Sequence, residues 1–208
     1  MKLYYGRGTC SLACHIALRE AHQTFELVRF DLPSHKLEDG RLIEAVNPKG
    51  YVPVLELDDG QRLTEASVVL QYIADRPGAN LGPPAGTFER YRMQEWLNFV
   101  ATEIHKLFWP FFHVEAAPEK PTVEPRLRKS LSYAQALLGD RTSLLPSGFS
   151  VADIYLFNMI NWIRPAGLNV ADWPGLQTFR KMIMERPAVQ AAMALEHLLP
   201  TRPKVIAS

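Results

Sequence analysis

The sequence predicts an α/β domain followed by an all-helical one. Three observations carry this. Strand-like and helix-like periods alternate over roughly the first eighty residues. A cluster of breakers, Pro77, Gly78, Pro83, Pro84 and Gly86, then interrupts the chain. Beyond it the patterning is helical throughout. The expected domains are residues 1–80 and 87–200.

In the first half, Lys2–Tyr5 reads as a short strand and Gly6-Arg7-Gly8 as a loop. Ser11–Ala21 has helical spacing, with Leu12, Ile16 and Leu18 as anchors. Phe25–Asp31 alternates like a strand, and Glu38–Val46 is expected to be a short helix ending before the turn Asn47-Pro48-Lys49-Gly50. Val52–Leu57 is a strand interrupted by Pro53. Asp58-Asp59-Gly60 turns the chain into a second short strand, Gln61–Leu63. Glu65–Asp75 is a helix for which Thr64 is the expected N-cap.

In the second half, Thr87–Phe112 reads as one long helix bent at Pro110, followed by helices over Pro125–Leu138, Ser150–Pro165, Trp173–Glu185 and Pro187–Leu198, with a loose tail at Thr201–Ser208. Met93, Trp96, Val100, Ile104 and Leu107 form the core face of the long helix. Ser150-Val151-Ala152-Asp153 is a capping box, with Phe149 and Ile154 placed for a hydrophobic staple. Asp153 is therefore read as a folding device rather than a catalyst.

The composition narrows function. With 23 basic and 22 acidic residues, no charge excess points to nucleic acid or anionic lipid. The longest apolar stretch, near Ile154–Ile163, is interrupted by Asn158 and Asn161 and is too short to span a bilayer. Met1–Tyr5 lacks the apolar core of a signal peptide, so a soluble cytoplasmic protein is expected. Cys10 and Cys14, the two cysteines, are too few for a disulfide scaffold. No histidine spacing suits a metal, and no P-loop or dinucleotide glycine pattern is present.

Cys10 follows a strand and a glycine-containing loop and precedes a helix. Helix N-termini carry unpaired N–H groups and partial positive charge, which lower a thiol pKa. The sharp reading is a reactive thiol; the plain one is a buried structural cysteine. Cys14, one helical turn on, reads as a small core residue rather than a resolving thiol, because an i,i+4 pair rarely meets disulfide geometry. Pro53 within a strand marks an edge or a cis peptide, leaving the Val52 backbone free to pair with an extended ligand. The N–H groups of Ala66 and Ser67 open a helix and suit a carboxylate, and Glu65 suits an ammonium group. Asn98, Thr102 and His105 form a polar stripe for which a solvated face is the plain reading, with His105 a candidate donor or proton shuttle.

These features together resemble the cytosolic glutathione transferases, in particular the bacterial beta class. The resemblance rests on MKLYYGRGTCSLACHIALRE, NPKGYVPVLELDDG, LTEASVVLQYIAD, EWLNFVATEIHK and FSVADIYLF, and runs nearly the whole chain to about Leu198. It implies a thioredoxin-like N-terminal domain, a helical-bundle C-terminal domain, glutathione as co-substrate with no further cofactor, a hydrophobic electrophile as second substrate, and a homodimer. It also implies roles. Cys10 lies against the glutathione sulfur, and Val52 pairs with its cysteinyl part before a cis Pro53. Glu65 and Ala66 hold the γ-glutamyl end. Asn98, Thr102, Glu103, Ile104 and His105 line the cleft, some of them across a dimer interface, with His105 near the cysteine. His35 stands where relatives often carry a lysine for the glycyl carboxylate, a substitution for which Lys36 is a candidate replacement. Ala66 replaces a Ser or Gly, and Cys14 a Ser or Pro-like position. Phe108, Trp109, Phe112 and Trp162 are expected to wall the electrophile pocket, and Tyr5 is weighed as a donor to sulfur or an inward-packing strand residue. The competing classes are a glutaredoxin-like thiol–disulfide oxidoreductase or peroxidase, a non-catalytic binder of hydrophobic ligands, and a glutathione-dependent isomerase.

Overall fold

The computed structural model describes residues 1–199, so the expected tail at Thr201–Ser208 lies outside the described residues. The N-terminal half forms β1 (Lys2–Tyr5), α1 (Ser11–Glu20), β2 (Glu26–Asp31), β3 (Lys36–Leu37), β4 (Val54–Glu56), β5 (Arg62–Thr64) and α2 (Ala66–Ala74). The sheet order is β3-β2-β1-β4-β5, with β1–β2 parallel and the other pairs antiparallel. Strand alternation sorts its side chains between two cores. Leu3, Tyr5 and Leu55 face α1, α2 and the helical domain, whereas Tyr4, Val28, Phe30 and Val54 pack beneath Ile43, Val46 and Val52. Tyr5 thus packs inward, as the plainer reading had it.

Two expectations fail in this half. Glu38–Val46 is not a helix. Leu37 and Arg41 pair across a tight turn at Gly40, which has φ +86°, and only Ile43–Ala45 makes a single 3-10 turn. The positive φ at Gly40 costs glycine nothing and stops a helix from nucleating there. Thr64 is not the N-cap of α2 but the last residue of β5; Glu65 is the cap, at φ +68°, and its carboxylate turns away from the helix.

The C-terminal half holds α3 (Phe88–Phe99), α4 (Trp109–Phe112), α5 (Lys120–Leu138), α6 (Val151–Ile163), α7 (Pro174–Met184) and α8 (Pro187–Leu195). Thr87 caps α3 by accepting the Arg90 N–H at 3.2 Å. The long helix departs from α geometry well before Pro110: Val100–His105 is a π turn and Lys106–Phe108 a 3-10 turn. The Thr102 hydroxyl donates back to the Asn98 carbonyl at 3.1 Å, a back-bond that competes with the ladder and favours such a bend. Helix α5 begins five residues before the expected Pro125, with Pro121 in its first turn, where a missing N–H costs nothing.

The capping box of α6 is present. The Ser150 hydroxyl accepts the Ala152 N–H at 3.3 Å, and the Asp153 carboxylate accepts the Ser150 N–H at 2.8 Å. Asp153 also accepts the Leu144 N–H at 2.7 Å, so one fully buried carboxylate fixes a loop as well as a helix start. The chain's larger core runs without a break from α1 and α2 into α3, α5, α6 and α7.

Candidate functional site

The site grows from the loop between β1 and α1. The Thr9 and Ser11 hydroxyls both bond to the Gly6 carbonyl, at 2.9 and 3.2 Å, which shapes the turn that delivers Cys10 to the helix start. The C-terminal domain grips the same loop. Trp162 Nε1 donates to the Gly8 carbonyl at 2.7 Å, Asn158 Nδ2 donates to the Thr9 carbonyl at 3.0 Å, and the Glu196 carboxylate accepts the Gly8 N–H at 2.9 Å. Glu196 is buried and is itself held by His15 Nδ1 at 2.9 Å, with Arg19 Nε donating to His15 Nε2.

Cys10 is the N-cap of α1, and its Sγ lies 3.5 Å from the Val52 carbonyl oxygen. The cysteine and the backbone edge expected to pair with an extended ligand are therefore adjacent, and the Val52–Pro53 peptide is cis. The expected lowering of its pKa does not hold. Burial pushes the Cys10 thiol up to about 12, outweighing the opposing pull of the Cys10 and Ser11 N–H groups. In this pocket the thiol stays protonated at neutral pH. Cys14 is wholly buried, with its thiol also raised by burial; the two cysteines are unlinked, and Cys14 behaves as the core residue expected.

The start of α2 offers first-turn N–H groups of Ala66 and Ser67 without intrahelical partners. Beside them, the Glu65 carboxylate is bonded by Lys49 Nζ at 2.5 Å and the Tyr51 hydroxyl at 2.9 Å. The first effect lowering its pKa is the Lys49 hydrogen bond, so it is ionised. A non-glycine residue at φ +68° is strained by about 1–3 kcal/mol and persists where the surroundings hold it. His35 lies on the exposed β2–β3 turn, with Nδ1 3.8 Å from the Glu44 carboxylate, and none of its described hydrogen bonds joins it to Val52 or Glu65.

The polar stripe divides. Asn98 and Thr102 face solvent, as the plain reading had it, and so does Glu103, while Ile104 is fully buried. His105 leaves the stripe because the π turn shifts the helix phase. It turns inward to the Tyr155 hydroxyl, 2.8 Å from Nδ1, and stands edge-on to Trp162 with centroids 5.0 Å apart. Burial, followed by the charge of Lys106, pushes its pKa down to about 4, with Glu65 pulling the other way. It is thus a neutral imidazole at physiological pH, with Nδ1 engaged by Tyr155.

Of the four aromatics expected to line one pocket, three meet. Phe112 packs edge-on to Trp162 at 5.3 Å, and Phe108 stacks on Phe112 at 6.1 Å and meets Trp162 edge-on at 5.8 Å. Trp109 turns out of the cluster and stacks on His113. Tyr155, Asn158 and Glu196 escaped sequence reading. They gain meaning only from partners 50 to 188 residues away, and no local spacing signals that. A cavity of about 510 Å³ lies elsewhere, between α3 and α5, against Trp96, Phe99, Tyr133 and Arg141. It is remote from Cys10, and the chemistry of the cysteine loop outweighs its size in locating the site.

A mixed sheet with a buried cysteine set against the Val52 backbone, followed by an aromatic-rich helical domain, defines a protein with a thioredoxin-like N-terminal half and a helical C-terminal half. Residues 8–76 match the family model of the glutathione S-transferase N-terminal domain, and residues 99–187 that of the C-terminal domain. Glutathione S-transferase GstA of Escherichia coli O157:H7 is 44% identical over 200 residues, covering 95% of this chain and all of that protein. The ternary complex of BphK, a bacterial GST, superposes with a TM-score of 0.92 at 46% identity, covering 95% of this chain and all of that one. A beta class glutathione S-transferase from Sphingomonas chungbukensis superposes with a TM-score of 0.89 at 42% identity, covering 96% and all of the two chains. The chain belongs to the glutathione S-transferase family and is of the bacterial beta type. Glutathione is its co-substrate. Among the described residues, no helix is long and apolar enough to cross a membrane.

Proposed function

We propose that the protein conjugates glutathione to hydrophobic electrophiles, with glutathione lying extended along Val52 and its sulfur at Cys10. The single observation that carries this is the contact of Cys10 Sγ with the Val52 carbonyl at 3.5 Å, which joins a thiol to a ligand-pairing backbone edge. The cysteinyl N–H of glutathione takes that carbonyl as its acceptor, and the Cys10 S–H is released to donate to the incoming sulfur. The γ-glutamyl carboxylate meets the Ala66 and Ser67 N–H groups at the positive end of α2. Its ammonium displaces Lys49 from Glu65. His35, with Lys36, serves the glycyl end.

Cys10 is protonated at neutral pH, so the nucleophile is the glutathione thiolate and Cys10 assists as a donor. This favours conjugation over a mechanism in which a Cys10 thiolate attacks a disulfide. The electrophile sits against Phe108, Phe112 and Trp162, beside His105. The protein works as a cytoplasmic homodimer, with the exposed Asn98, Thr102 and Glu103 reaching the partner subunit. Exposed Tyr91, Tyr133 and Leu137, next to the α3–α5 cavity, support that face as the interface.

The test is initial-rate conjugation of glutathione to a chlorodinitrobenzene, for the wild type and Cys10→Ala. Activity in the variant within about tenfold of wild type, the loss of one hydrogen bond to a charged sulfur, agrees with an assisting role. Complete loss identifies Cys10 as the nucleophile and overturns the reading.

A further inference from the structure

Tyr155 is fully buried on α6, and its hydroxyl has one described partner, His105 Nδ1 at 2.8 Å. A buried phenol O–H is costly to leave undonated. If Nδ1 carried the ring proton it would donate to the phenol oxygen, and the phenol proton would then have no acceptor. If Nδ1 is bare, it accepts the phenol proton and both groups are satisfied. His105 Nε2 then carries the proton, and it has no partner among the described hydrogen bonds. His105 is thereby a neutral donor whose free N–H belongs to the side of the ring that Tyr155 does not occupy.

We propose that Tyr155 is a positioning residue that locks His105 in its Nε2–H tautomer, so that the imidazole presents a hydrogen-bond donor to the glutathione thiolate beside Cys10. The inference rests on the glutathione reading above. The α6 helix that carries Tyr155 is also the one whose Asn158 and Trp162 hold the Gly8–Thr9 peptide before Cys10. One rigid element therefore fixes both the cysteine loop and the imidazole. The other groups that bear on this pair are Lys106, which opposes protonation of the ring, Glu65, which favours it, and the Cys10 and Cys14 thiols, which act on Tyr155.

Two measurements test this on the full-length protein. Long-range proton–nitrogen correlation on histidine-labelled enzyme should show His105 protonated at Nε2 and bare at Nδ1. In Tyr155→Phe, which keeps the ring in the core, the two tautomers should mix. An Nδ1–H tautomer in the wild type overturns the proposal. The pKa of bound glutathione, read from thiolate absorbance, should rise by about one unit in His105→Ala and in Tyr155→Phe, a tenfold effect, with no further rise in the double variant. No shift in His105→Ala removes His105 from the thiolate and the proposal with it, while leaving glutathione binding itself to be judged by saturation. A shift in His105→Ala without one in Tyr155→Phe, or effects that add in the double variant, overturns the role of Tyr155 alone.

Discussion

Glu65 holds a left-handed backbone that non-glycine residues seldom adopt. Its φ of +68° is paid in strain, and its carboxylate is spent on Lys49 and Tyr51 rather than on capping α2. Replacing it by glycine, which adopts such a φ freely, should leave thermal stability unchanged or raised, whereas Glu65→Ala should lower it by about 1 kcal/mol. Both variants should raise the KM for glutathione about tenfold, as loss of one charge-assisted contact does. Melting curves and saturation kinetics check the pair, and equal stability of Gly and Ala at this position would remove the strain argument. His105 makes a second residue-level prediction, on pH. Its folded pKa of about 4 lies below the ordinary 6.5, so it favours the fold above 6.5 and loses that contribution as pH falls toward 4. Wild-type stability should therefore decline more steeply over that window than that of His105→Asn, as denaturant titrations at several pH values would register. Cys10 was legible as a candidate because it sits at a strand–loop–helix junction. Its protonation state was not, since burial that outweighs a helix N-terminus is a property of the packed molecule.

At the scale of elements, local chemistry told most where the signal was short-ranged. The capping box at Ser150 and Asp153, the core face of α3 and the turn at Asp58-Asp59-Gly60 were readable because each depends on neighbours within one helical turn or hairpin. The π turn at Val100–His105 was not, because no proline or glycine marks it and the visible breaker, Pro110, lies farther on. The missed hairpin at Gly40 has a similar cause: Ile43 and Val46 bear a helix-like spacing but face a sheet. Asp153 gives the clearest element-level prediction. It accepts the Leu144 N–H and the Ser150 N–H and hydroxyl from a fully buried position. Asp153→Ala strands these donors and should cost about 3 kcal/mol, while Ser150→Ala should cost about 1 kcal/mol. Urea unfolding of the two variants measures the difference, and an Asp153→Ala cost no larger than that of Ser150→Ala would mean the Leu144 loop does not depend on it.

At the scale of the whole molecule, the two halves that the Pro and Gly cluster separates in sequence are fused in space. Their shared core, the Arg186–Glu20 pair at 2.7 Å, and the grip of Trp162, Asn158 and Glu196 on the Gly8–Thr9 loop leave little for either half to do alone. The change from mixed sheet to helices was legible, the fusion was not, because its contacts join residues more than 145 positions apart. All four tryptophans lie in the helical half, so fluorescence reports that half, while far-ultraviolet dichroism reports both. The two signals should share one denaturant midpoint, and for a dimer that midpoint should rise with protein concentration. Separate midpoints would mean that the domains fold independently.

The central claim, that the glutathione sulfur comes to rest at Cys10, is tested most directly by intact-protein mass spectrometry after incubation with oxidised glutathione, on the wild type and on Cys10→Ala. The account predicts a single glutathione adduct on the wild type, slow to form because the thiol is held protonated, and none on the variant. Absence of an adduct, or one that persists on Cys14 when Cys10 is gone, would contradict it.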